Sequence, residues 1–143
     1  MNKKYNHKDY GENGLLILPY SFWFSIAIQI KSWIIFFFAI MSGVTLNDFI
    51  IYYYQSESYF LYDLLLGIPA IFFIIIYPLR DKLPLVARGN YIIMFCSIII
   101  SIIYIIFSMK SIEENFWLFL LCLNIISFTL AFPSKRIVDS ILN

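Results

Sequence analysis

The chain has 143 residues, of which 62% are hydrophobic and 13% charged, with a formal net charge of +1. Soluble domains carry roughly 45–50% apolar residues, and a chain this short has too little interior to hide the excess, so lipid must stand in for a partner core. A water-soluble globular domain is thereby excluded, and the small net charge, with basic residues scattered among segment ends, excludes a nucleic-acid footprint.

Residues 1–18 read as a cytoplasmic tail, basic at Lys3, Lys4 and Lys8, ending in the apolar run LLIL at headgroup level. The first span is expected over 19–43, opened by Pro19, whose fixed φ suits a first helical turn, and closed by Gly43. A basic tail before an apolar run has the outline of a cleaved signal peptide. This run is too long for one, carries Lys31 at its middle and lacks an A-x-A site, so it reads as a retained helix. The second span, 59–79, and the third, 91–109, are close to the ~20 residues that a hydrocarbon core requires at the helical rise. The fourth, 116–132, is the shortest and should stand upright or thin the bilayer. No repeat or linker divides the chain, so residues 1–143 are expected to form one all-α domain, an integral membrane bundle of four transmembrane helices.

Basic side chains set the orientation. Lys3, Lys4 and Lys8 precede the first span, Arg80, Lys82 and Arg88 fill the second connection, and Lys135 and Arg136 follow the fourth span, whereas the other side offers only Lys110. That asymmetry predicts both termini in the cytoplasm. The first external loop carries Asp48 and Glu57 without a basic residue, and its Tyr52, Tyr53 and Tyr54, with Trp117 at the start of the fourth span, suit the aromatic belt at the headgroups.

Several polar residues fall where lipid is expected. In a straight, centred first span Gln29 and Lys31 lie near the midplane, where a lysine costs about 2.5–3.5 kcal/mol on the insertion scale and is too deep to snorkel out. Gly67 and Pro69 lie near the middle of span two, where proline frees the carbonyl of Leu65 and predicts a kink. Asn124 is central in span four, and Ser97 and Ser101 set a small-xxx-small spacing on span three that permits close helix approach. These positions predict a midplane polar cluster in which Lys31 donates to Asn124 and to freed carbonyls of span two. Gln29, about 160° from Lys31 on one helix, shares its face with Ser25 and Ser32 and is directed to another helix or a second copy. Asp63 lies two turns or more from the midplane, which argues against a Lys31–Asp63 pair. Each feature also has a plain structural account: a satisfied or neutral buried amine for Lys31 as against a substrate or proton site, a packing kink for Gly67 and Pro69 as against a gating hinge, and helix packing for the serines and Asn124.

Familiar chemistry is missing. The sequence has no phosphate-binding glycine loop, no nucleophile beside a histidine and no acidic pair at one depth for metal, and His7 stands alone in the tail. No enzyme activity, cofactor or metal is expected. Cys96 and Cys122, inside apolar runs, are expected as free thiols packed among helices.

The order of features, a tail ending YGENGLLILP, then FWF and QIK in span one, LLGIP in span two and a basic pair after span four, resembles the YfeZ-like family over nearly the whole chain. These are small bacterial inner-membrane proteins grouped as a domain of unknown function. The resemblance implies four helices in the inner (cytoplasmic) membrane and transfers no catalytic residue. The sequence thus favours a non-enzymatic structural or accessory subunit, surrounded by the lipid bilayer and acting as a homo-oligomer or with an unidentified membrane-protein partner. The alternative is a small transporter or channel subunit with a polar midplane site around Lys31.

Overall fold

The computed structural model describes residues 5–11, 14–43, 45, 48, 50, 54, 57–108 and 114–142. Lys3, Lys4, Tyr52, Tyr53 and Lys110, used above for orientation and the aromatic belt, and Met109, the expected end of span three, lie outside them. Among the described residues there is no strand, only an isolated antiparallel bridge between Tyr10 and Leu16. The helices are α1 (Tyr20–Gln29), α2 (Lys31–Ser42), α3 (Glu57–Ile76), α4 (Pro84–Ser108), α5 (Glu114–Ala131) and α6 (Lys135–Leu142).

Among the described residues two segments are each long and apolar enough to cross a membrane: Glu57–Leu79, which is α3 with a closing 3-10 turn, and Pro84–Ser108. The number rises to four if two bent pairs each count as one span. These are α1 with α2, bent by 56°, and Phe116–Ala131 with Lys135–Ile141, bent by 69°.

The helix ends follow local chemistry more closely than hydropathy. Pro19 stands just ahead of α1, and Gly43 closes α2 in the left-handed region at φ 66°, which a Cβ disfavours. Helix α4, the third expected span, begins at Pro84, well ahead of the expected 91, because Ala87, Arg88 and Asn90 continue a helix that extends beyond its apolar stretch. The fourth expected span stops at Ala131, since Phe132 precedes Pro133 and is held out of the helical region. The Ser134 hydroxyl then accepts from the Ile137 amide at 3.3 Å and starts α6.

Helices α1, α3, α4 and α5 close a four-sided bundle in which α1 meets α3 and α5, and α4 meets the same two. Its interior holds two apolar clusters. One gathers Leu18, Phe22, Ile26, Phe73, Met94 and Ile98 with Ile137 and Ile141 of α6. The other gathers Tyr54, Tyr59, Phe60, Ile105, Trp117 and Leu120. Trp117 is therefore not a headgroup anchor. It is buried, edge-on to Tyr59 with ring centroids 4.8 Å apart. Tyr54 is buried too. Cys96 and Cys122 depart from expectation in the opposite sense: both are free and on the outer surface, because the inward positions of α4 and α5 go to other residues.

The N-terminal segment folds over the first of these ends. Leu16 and Leu18 point inward, the Leu18 amide donates to the Tyr77 hydroxyl at 3.1 Å, and Arg80 donates to the Leu16 carbonyl at 2.9 Å. Asp9 pairs with Arg136 at 2.9 Å, and the Tyr5 hydroxyl donates to Asp139 at 2.6 Å. The tail, the α3–α4 connection and α6 thus share one end of the bundle.

Candidate functional site

Most of the buried polar residues lie between the two apolar clusters: Gln29 beyond Ile26, Asp63 between Phe60 and Ala70, Ser101 between Ile98 and Ile105, Asn124 and Ser127 between Leu120 and Ala131, with Ser25 and Ser97 within the first. What organises them is the break between α1 and α2. Ile30, at φ −90° and ψ 6°, separates α1 from α2, although its amide still donates to Ile26 and its carbonyl still accepts from Ile34. Opposite the break sits Gly67. A Cβ there would lie 2.8 Å from the Gln29 carbonyl oxygen and 3.0 Å from Cδ1 of Trp33, so only glycine admits this approach. The Trp33 indole N–H then donates to the Leu64 carbonyl at 2.9 Å and fastens α2 to α3. α3 itself runs uninterrupted through Gly67 and Pro69, and the Pro69 carbonyl accepts from Asn90 of α4 at 3.1 Å.

Before the break, α1 turns Ser25 and Gln29, one helical turn apart, toward Asn124 and Ser127 of α5. The Ser25 hydroxyl lies 2.8 Å from that of Ser127 and donates to the Ser127 carbonyl at 2.9 Å. Gln29 Nε2 donates to Ser127 Oγ at 3.2 Å and reaches Asn124 Oδ1 at 3.5 Å, while Asn124 Nδ2 donates back to the Leu120 carbonyl at 2.9 Å. All four side chains are buried. This cluster is neutral and satisfied by its own members.

After the break, α2 turns Lys31 the other way. Its Nζ lies 2.7 Å from Oδ2 and 2.9 Å from Oδ1 of Asp63, and the Tyr54 hydroxyl donates to Oδ2 at 3.0 Å. Lys31 therefore pairs with Asp63 and not with Asn124. The depth argument against this pair assumed one straight helix, and the 56° bend removes that assumption. The Lys31 and Asp63 side chains are 17% and 5% exposed, so the pair is largely withdrawn from solvent. Burial, and then the Asp63 carboxylate, hold the Tyr54 phenol well above its ordinary 10.0, so it stays a neutral donor.

Ser97 and Ser101 belong to neither cluster. Both are buried on the inner face of α4, where Ser97 donates to the Met94 carbonyl at 2.7 Å and Ser101 lies beside Tyr59. Ser127 was not singled out in the sequence, and Tyr54 was read only as part of the aromatic belt at the headgroups. Ser127 was signalled by its position three residues after Asn124, whereas nothing local marked Tyr54 as a partner of Asp63. The clusters offer a compensated charge pair and a hydroxyl–amide network. Among the described residues no group of three or more His, Cys, Asp or Glu side chains is placed to hold a metal.

No curated protein and no solved structure matches the chain. The family described as "Protein of unknown function (DUF2919)" matches residues 5–140, nearly the full length over which the tail, the broken first helix, both polar clusters and α6 are built, and the chain belongs to that family.

Proposed function

We propose that this chain is a multi-pass protein of a bacterial inner membrane, of the YfeZ-like type, that crosses four times with both termini in the cytoplasm. It acts without catalysis, as a structural or accessory subunit working through helix contacts with a partner or a second copy. The observation that carries this reading is that the polar side chains of the two clusters hydrogen-bond to one another. Lys31 is neutralised by Asp63, and Gln29 is taken up by Asn124 and Ser127. A site for catalysis needs a group left available for substrate. Outward positions such as Phe24, Phe37, Leu65, Ile93 and Phe119 are exposed and apolar, which suits lipid and neighbouring helices.

Affinity capture from native membranes with a C-terminal tag tests the proposal. A membrane-protein partner or a second copy recovered in fixed ratio is expected, and a chain that stays monomeric and alone in mild detergent would overturn it. Reporter fusions at both ends should read from the cytoplasm, and a split result would refute the topology.

A second reading, a transporter or channel subunit, is supported by one feature. Lys31 opens α2 immediately beyond a helix break, and discontinuous helices are where membrane transporters hold charged cargo. Liposome flux of anions or protons that is abolished by Lys31→Gln would support it. Equal leak from the two proteins would remove it.

A further inference from the structure

At the end of the bundle shared by the tail and α6, a cavity of about 260 Å³ opens between Leu15, the Arg80–Asp81 connection, the start of α4 at Pro84 and Arg88, and Ser140 and Ile141 of α6. Among the described residues that border it are two arginines, Arg80 and Arg88, and one carboxylate, Asp81. Arg80 is held in place, since it donates to the Leu16 carbonyl and lies over the Tyr77 ring at 4.0 Å, and its buried Nε–H has no acceptor among the described residues. Two arginines converging on one chamber suit an anion, and guanidinium forks match the oxygens of a phosphate.

A second cavity, about 140 Å³, shares Arg88 and Ile141 with the first and continues along Tyr91, Ile92 and Val138. Its walls are apolar, Arg88 contributing only its carbon stem. A cationic chamber that runs into an apolar groove, at the rim of a helix bundle, has the two-part character of a phospholipid. A free phosphate would use only the first part.

We infer that this paired cavity binds one anionic phospholipid, its phosphate between Arg80 and Arg88 and the start of an acyl chain along Tyr91, Ile92 and Val138. The bound lipid sits against both α4 and α6 and so fastens α6, with the tail clasped to it through Arg136–Asp9 and Tyr5–Asp139, to the bundle. Basic recesses at the cytoplasmic ends of spans attract acidic headgroups in the same way. The inference rests on the membrane reading above. Because binding is measured on protein already embedded in bilayer, its failure would leave that reading standing.

The test is native mass measurement of the full chain released from nanodiscs of mixed phosphatidylglycerol and phosphatidylcholine. One phosphatidylglycerol is expected to stay bound and no phosphatidylcholine. Occupancy should fall about fivefold in Arg88→Gln, the scale of one basic residue near an acidic surface, and should not change in Lys135→Gln, which lies at the same end but outside the cavity. Leu15→Trp, which fills the chamber without altering charge, should release the lipid as well, so the result does not depend on Arg88→Gln folding. Equal retention of the two lipids, or equal loss in Lys135→Gln, would overturn the proposal. Displacement of the phosphatidylglycerol by millimolar inorganic phosphate would also overturn it, by showing that the groove contributes nothing.

Discussion

The neutral cluster between α1 and α5 and the charged cluster between α2 and α3 stand on either side of Ile30, and they meet the difficulty of polar groups in a dry interior differently. In the first, Ser25, Gln29, Asn124 and Ser127 share several short-range hydrogen bonds, so losing one member leaves the others with alternatives. In the second, Lys31 and Tyr54 converge on the single carboxylate of Asp63. Redundancy makes the neutral site tolerant, whereas convergence makes the charged site depend on one residue.

That contrast is broken most severely at Asp63. Asp63→Leu should destabilise the chain by about 3–5 kcal/mol, the consequence of leaving a buried ion without its partner. The double variant Lys31→Met with Asp63→Leu should recover most of the loss, because an apolar pair of similar volume removes both desolvation penalties. Thermal unfolding in detergent reads both, and a double variant no better than Asp63→Leu would show that the charge pair is not what matters. Tyr54→Phe keeps the ion pair and deletes one hydrogen bond to a charged acceptor, for about 1.5–3 kcal/mol. The raised phenol fixes the sign of its pH dependence. The Tyr54 contribution is complete below its ordinary 10.0 and is lost as the pH rises beyond it, where the unfolded chain ionises first. A Tyr54→Phe deficit that disappeared between neutral and mildly acidic pH would contradict this.

Gly67→Ala sharpens the comparison by attacking the break that both clusters share. The added methyl meets a backbone carbonyl at 2.8 Å, and carbonyls cannot turn aside as side chains can. A loss of roughly 1–3 kcal/mol is expected, accompanied by quenching changes at Trp33. Unaltered stability and unaltered Trp33 fluorescence would mean that the approach is not tight. The smallest effect belongs to the neutral side. Asn124→Leu should lose only about 0.6 kcal/mol, typical of hydrogen bonds between helices in membranes, since Ser127 still accepts from Gln29. A loss as large as that of Asp63→Leu would end the distinction between the two clusters.

What the sequence determined by itself was the helical class and most of the polar residues of the interior, though not its cysteines or aromatic residues: Cys96 and Cys122 face outward and Tyr54 and Trp117 inward. Apolar runs marked helices long and apolar enough to cross a membrane, Pro19 and Gly43 marked the limits of the α1–α2 pair, and Gln29, Lys31, Asn124, Ser97 and Ser101 stood out because polar atoms are costly among hydrocarbon. Gln29 and Lys31 were also separable in advance, since two positions on a helix face nearly opposite ways. Pairing was decided only in three dimensions. Lys31 reaches Asp63 because α2 departs from α1 by 56°, and that bend lodges against a glycine thirty-odd residues away on another helix. Helical periodicity carries direction within one straight element. It carries nothing about where two elements touch, so the break, the Tyr54 contact and the clasp between the tail and α6 had no local signature, and packing alone selected them.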